Sequence, residues 1–230
     1  MAKLITRRNA ILSIGSALTL AGCNGGITAG FLKGMEKWNE WFQELLFSSS
    51  RLAPEQPVSA TTPEMDFPVY FISDMMPMPP VGWTLKVGGL VAHPGNFTLE
   101  QLAAMPSTTM RIQHHCVEGW SAVAQWSGPR VSELARIVQV DPRARYVEFR
   151  SFDAGYWSSW DMPSAMHPQT ILALQMNGHA LPSEHGAPLR LYSSVKLGYK
   201  NVKYVNEINF LSERTGGYWE NQGYEWFAGT

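Results

Sequence analysis

The residues with the most chemistry in this 230-residue chain lie between Arg111 and Gly128, RIQHHCVEGWSAVAQWSG. Cys116 stands there directly behind His114 and His115 and ahead of Glu118, Trp120 and Trp126. A thiolate is a soft donor suited to a single metal, and we read Cys116 as a metal ligand. A nucleophile activated by a neighbouring histidine and an inert buried cysteine stay open as alternatives. A structural zinc site fits poorly, because three adjacent residues cannot all point at one metal and no second ligand pair follows at zinc spacing.

A second constellation runs from His185 to Tyr204, HGAPLRLYSSVKLGYKNVKY. Arg190, Lys196, Lys200 and Lys203 cluster here in a chain with only 18 basic residues. Gly186 and Gly198 permit close backbone approach. Guanidinium and ammonium donors in such a cradle suit a phosphate. Taken alone, the cluster reads better as a solvated basic face.

The elements that position these groups begin after an export signal. Arg7 and Arg8 precede a short apolar run, Ala10 to Ala21, that is too short for a spanning helix. The run ends in Leu20-Ala21-Gly22-Cys23, which resembles a bacterial lipobox. Residues 1–23 are therefore expected to direct twin-arginine export to the periplasm, with Cys23 carrying a lipid anchor to the membrane. Cys116 is then left without a disulfide partner in an oxidising compartment, which makes sense if its sulfur is buried or metal-bound. Residues 24–66 read as a tether, a helix and a linker. Phe31, Met35, Trp38, Phe42 and Leu45 share one helical face; with few charges of mixed sign this is read first as a helix packed on the domain, and second as an interfacial helix on lipid. Ser48 to Pro68 reads as the linker, and the main domain is expected over 67–230.

Within that domain, WTLKVGGLV from Trp83 reads as a strand, and Thr98 with Gln101 as a capping box on a short helix. MRIQHHC reads as a strand with His114 and Cys116 facing one way and His115 the other. Ser132 to Val138 suits an amphipathic helix, ARYVEFRSF a strand, and SFDAGYWSSWDMP an aromatic loop ahead of a short helix at Pro163. Asn177-Gly178 marks a hairpin, and PLRLYSS and VKYVNEINFL read as strands. The mixture lacks a regular βαβ rhythm, so the fold class is α+β. A hydrophobic content of 45% and a formal net charge of -1 exclude a disordered chain and, by bulk charge, a nucleic-acid binder. Nine tryptophans suit a core, a membrane-facing surface or a flat ligand. On the residues alone, a thiol-dependent hydrolase and a tryptophan-lined envelope binding protein remain open beside a metal enzyme.

HHCVEGWS, SFD, MNGHALPSEHGAPLRLYSSVKLGYKNVKY and GYWENQGYEWF, taken in order, resemble the molybdopterin domain of the sulfite oxidase family. The resemblance is nearest to the periplasmic branch that includes protein-methionine-sulfoxide reductase catalytic subunits. It implies one Mo-molybdopterin per chain, with the Cys116 thiolate on molybdenum. It implies that His185, Arg190, Asn201, Val202 and Lys203 hold the phosphate end, alongside the basic cluster's Lys196 and Lys200 and the neighbouring His114. Ser151, Asp153 and the segment Phe71–Met75, with Ser73 and Asp74, would contact the pterin. Tyr224 would be the active-site tyrosine, and Trp126 would stand near an aromatic wall. Two substrate-binding arginines of sulfite oxidases are missing: Ser73 stands in one segment, and Gly119, Trp120 and Ser121 in the other. An S-oxide or N-oxide substrate therefore fits better than sulfite, which is the alternative of the same family. No haem or iron–sulfur motif is present, so an external electron-transfer partner is expected. The family's dimerisation domain is not found, so a monomer is expected.

Overall fold

The computed structural model describes residues 25–153 and 155–230, with side chains from residue 34 onward except residue 36. The export signal and Cys23 lie outside the described residues. The chain divides into two compact units, Met1–Leu45 and Leu46–Thr230. The described part of the first is α1 (Gly25–Leu46), a helix of 22 residues.

The second unit is built on three sheets. Strands β1 (Leu85–Gly89), β2 (Gly95–Phe97), β5 (Tyr146–Ser151), β6 (Trp157–Asp161) and β11 (Val205–Leu211) form one sheet in the order β2-β1-β11-β5-β6. Among the described residues, only β1 and β11 pair in parallel. Strands β3 (Ser107–His115), β4 (Ser121–Pro129), β8 (Gln175–Met176) and β9 (His179–Ala180) form an antiparallel sheet in that order. Strands β7 (Thr170–Ala173) and β10 (Arg190–Ser193) pair with each other. Short helices α2 (Leu99–Ala103), α3 (Val131–Val138) and α4 (Met162–Ala165) connect them. This is the expected α+β mixture of sheets and short helices.

Two apolar cores follow from the strand alternation. Val87, Phe149, Trp160, Ile208 and Phe210 pack with Leu134 and Val138 of α3. Met110, Ile112, Ala124, Trp126, Ile171 and Tyr192 form the second. The local signals behind these elements hold in detail. Thr98 and Gln101 make the capping box of α2. Asn177 and Gly178 both take positive φ in the β8–β9 hairpin, as a type I′ turn requires.

Two expectations change. The aromatic stretch after Asp153 is not only a loop: Trp157–Asp161 is a full edge strand paired with β5. Its serine pair looks loop-like in sequence. Ser159 is nevertheless fully buried, because its hydroxyl donates to the Gly216 carbonyl at 2.9 Å, and Ser158 bonds Glu220. The stretch read as a linker is a strap laid along the β3–β4 hairpin. Gln56 N–H donates to the Arg111 carbonyl at 2.8 Å and Thr62 N–H to the Val123 carbonyl at 2.9 Å. Val123 N–H donates back to Thr62 Oγ1 at 2.9 Å. Backbone donors that find partners in this way hold a proline-rich segment in place.

Candidate functional site

β3 and β4 run antiparallel from Ser107↔Pro129 to His115↔Ser121, so the hairpin tip is residues 116–120. The tip is fixed by Cys116 N–H donating to the Trp120 carbonyl at 3.0 Å and Gly119 N–H donating to the Cys116 carbonyl at 3.1 Å. Gly119 takes φ +90° there, which a side chain would resist. The strand alternation sends His114 inward, while His115 turns away to pair its Nδ1 with Ser121 Oγ at 2.9 Å.

Cys116 is partly exposed, and its thiol faces Glu118 Oε2 at 3.7 Å. The same carboxylate oxygen accepts Trp120 Nε1–H at 2.9 Å. Burial pushes the thiol pKa up, and the charge of Glu118 adds to the rise. His114 is moved the other way, to about 3, by burial and then by Arg190 and His115. A protonated thiol beside a neutral imidazole is the opposite of an activated thiolate–imidazolium pair.

Cys116 opens into a cleft lined by charged and aromatic side chains. Cations gather in one part of it. Arg190, at the start of β10, lies over the Trp126 ring at 4.8 Å and donates from Nη1 to the His185 carbonyl at 3.1 Å. His185 ends a short 3-10 turn that Gly186 terminates at φ +112°. Lys203 Nζ donates to the Glu184 carbonyl at 3.0 Å. Burial, then mutual repulsion, lowers the pKa values: Lys203 to about 7 and His185 to about 4. Burial alone lowers Arg190 to about 10. Three buried polar atoms on this wall have no hydrogen-bond partner: His185 Nε2, Arg190 Nε and Tyr204 Oη. Buried polar atoms of this kind call for a ligand to satisfy them.

The rim is clamped by Asp153, which accepts Ile72 N–H at 2.9 Å and Ser73 N–H at 3.2 Å and also bonds the Ser73 hydroxyl. Ser151 Oγ in turn accepts Asp153 N–H at 2.9 Å. The opposite wall is aromatic. Tyr156 donates to the Tyr199 carbonyl at 2.5 Å, and Tyr199 to the Glu225 carbonyl at 2.5 Å. Tyr224 leans on Trp219 and Tyr199, with ring centroids 5.0 and 5.3 Å away.

Of the residues singled out in the sequence, Cys116, Tyr224, His114 and Phe71 line this one cleft. So do Ser151, Asp153, His185, Arg190, Asn201 and Lys203. Glu118, Trp120 and Gly198 line it too, whereas Ser73, Asp74, Lys196, Lys200, Val202 and Trp126 stand elsewhere. Ser73 acts on the rim through Asp153, and Asp74 points to solvent. The Lys196 ammonium is buried between Asp161 Oδ1 at 3.1 Å and the Phe227 carbonyl at 2.6 Å. That of Lys200 is held by Glu220 Oε1 at 2.5 Å and the Ser159 carbonyl at 2.9 Å. Val202 is wholly buried in the first core. These three side chains tie the fold together and do not reach the cleft. Trp126 is also fully buried, stacked on Tyr192 at 4.5 Å behind Arg190, and so supports the wall without forming it. Tyr70, Tyr156, Tyr199, Tyr204 and Trp219 line the cleft without having been singled out. Tyr156 and Trp219 fall in the aromatic stretches after Asp153 and in the C-terminal tail, Tyr199 and Tyr204 lie within the basic stretch from His185, and Tyr70 carried no signal.

A flat group with a soft-metal end and a phosphate tail fits this arrangement. A lone sulfur donor stands at the hairpin tip, unpartnered buried polar atoms occupy another wall, and aromatic side chains line the same cleft. Gly198 leaves the necessary room, since a Cβ there would fall 2.7 Å from His114 Nε2.

Comparison with known proteins agrees. The model of the oxidoreductase molybdopterin binding domain matches residues 74–219. A putative protein-methionine-sulfoxide reductase subunit of Azospira oryzae is 38% identical over 223 residues, covering 95% of this chain and 85% of that protein. A protein-methionine-sulfoxide reductase catalytic subunit of Xanthomonas axonopodis pv. citri is 34% identical over 154 residues, covering 60% of this chain and 48% of that one. The chain thus spans about half the length of that catalytic subunit. Among solved structures, the sulfane dehydrogenase SoxCD from Paracoccus pantotrophus superposes with a TM-score of 0.55 at 27% identity, over 57% of this chain and 38% of that one. With the cleft, the family model and these relatives in accord, the chain belongs to the molybdopterin-binding oxidoreductases of the sulfite oxidase type, and it is an enzyme of that family.

Proposed function

We propose that this chain removes oxygen from an S-oxide substrate, with molybdenum held through the Cys116 thiolate and electrons drawn from a separate partner. The observation that carries the reading is the cleft itself, which joins the one described thiol to three unsatisfied buried polar atoms. Bound molybdopterin supplies two-electron oxygen-atom transfer, and the protein supplies placement and electrostatics. Cys116 would give up its proton on ligation, as metal-bound thiols do. His185, Arg190 and Lys203 would take the phosphate, and Phe71, Ser151 and Asp153 would line the pterin's flank. Tyr224, 36% exposed at the mouth, would donate its hydroxyl proton in a hydrogen bond to substrate oxygen. Trp120 and Trp219 would exclude water.

The substrate end favours an uncharged molecule. Glu118 places a carboxylate beside the sulfur, while Val117, Tyr70 and Tyr224 form an exposed apolar mouth. A dianion such as sulfite meets repulsion there. The two methionine-sulfoxide reductase relatives support the S-oxide reading, and both are named as subunits, which supports an external electron source. The twin-arginine and lipobox motifs support a periplasmic, membrane-anchored enzyme. The raised thiol pKa and the neutral His114 argue against a thiol hydrolase.

The test uses matured protein, assayed for molybdenum by elemental analysis and for turnover with reduced viologen against S-oxides, N-oxides and sulfite. About one metal per chain and S-oxide reduction are expected. Cys116→Ser should lose turnover by roughly three orders of magnitude or more while its stability changes by about 0.5 kcal/mol or less, since the site is half-exposed. Wild-type-like activity in that variant, or faster sulfite oxidation than S-oxide reduction, overturns the reading.

A further inference from the structure

Helix α1 presents an apolar face that stays exposed. Met35, Trp38, Phe42 and Leu45 recur at steps of three and four residues, and their exposures are 52%, 63%, 40% and 63%. Trp41 and Leu46 flank them at 55% and 63%. Trp38 and Phe42 stack in parallel, with centroids 5.6 Å apart and planes 6° apart. A helix of 22 residues is roughly 33 Å long. It is not a membrane span: no described helix is long and apolar enough to cross a bilayer. Water is a poor environment for such a row of rings, and helices this amphipathic settle where one face can leave it.

The chain itself says what covers the face. α1 starts at Gly25, two residues after the cysteine of Leu20-Ala21-Gly22-Cys23. A lipid on Cys23 brings the first turn of α1 to the bilayer surface with almost no slack. Tryptophan is the residue that most favours the headgroup boundary. The charges in the helix sequence are mixed, Lys33 and Lys37 against Glu36, Glu40 and Glu44, so the attraction is apolar and not electrostatic.

We propose that α1 lies flat in the membrane interface, its Trp38–Phe42 face buried among the headgroups as a second contact beside the lipid. The choice of a bilayer over another occupant rests on the reading of Cys23 as lipidated.

The test takes the full-length product purified from membranes and inserts it into phosphatidylcholine vesicles containing bromine-labelled chains. Bromolipid should quench the emission of Trp38 and Trp41, read as the difference between wild type and Trp38→Phe/Trp41→Phe. Backbone hydrogen exchange over 34–46 should slow by about tenfold in vesicles and recover in Trp38→Asn/Phe42→Asn. Adding phosphatidylglycerol should change little. Three results overturn the proposal: no quenching of these two tryptophans, protection that follows protein concentration instead of lipid and so reports a second copy, or binding confined to anionic vesicles. Mass spectrometry of the N-terminal peptide separates the two readings. An unmodified Cys23 with quenching intact removes the lipid anchor and leaves the interfacial helix standing.

Discussion

Lys203 holds its proton only weakly, near pH 7, because burial and Arg190 both oppose the charge. An ordinary lysine titrates near pH 10.4. Between the two values the unfolded chain binds a proton that the native state does not, so Lys203 makes the ligand-free protein more stable as pH rises above about 7. An anion in the cradle favours the charged ammonium and has the opposite dependence. Sulfate, which does not titrate in this range, should therefore raise the thermal midpoint of ligand-free protein most below pH 7 and progressively less above it. Thermal scans in sulfate between pH 6 and 9 should show this slope, and Lys203→Met should flatten it. At this scale the sequence revealed which residues carry chemistry but not which lysines are available. Lys196, Lys200 and Lys203 look alike in VKLGYKNVKY. Their fates are decided by Asp161 and Glu220, distant carboxylates that claim the first two. No local pattern announces such long-range pairing.

The element that aims Cys116 is the β3–β4 hairpin, and its alternation was legible because one buried face enforces the two-residue period. What the period could not show is how closely the hairpin is crossed from behind. A Cβ on Gly128 of β4 would fall 2.0 Å from the Leu172 carbonyl oxygen of β7. Gly128→Ala should destabilise the fold by about 2–4 kcal/mol, by urea denaturation, because backbone must move to admit one methyl. The strap before Phe67 and the edge strand β6 were misread for a related reason. Prolines and serines signal loops locally, whereas here their partners lie on other strands. Lys200 is a second case. It joins the fully buried core to Glu220 in the tail that carries Trp219 and Tyr224. Lys200→Met would leave that carboxylate buried and unpaired, a loss of about 3–5 kcal/mol. Urea unfolding should show it, and proteolysis should begin within 218–224. Lys200→Met/Glu220→Leu should recover much of the loss.

Across the whole molecule, the α+β class was legible from short strands and helices without a βαβ rhythm, but the sheet order was not. The pairing of β1 with β11 joins residues more than a hundred positions apart, and turn chemistry reaches only across neighbours. The cleft collects the ends of β3 and β5, the start of β10 and the C-terminal tail, so no single stretch encodes it. Its cationic wall sets His185, Arg190 and Lys203 against one another, with Asp153 as the buried acid that opposes Lys203. An arriving anion relieves that internal quarrel, and a departing one must restore it.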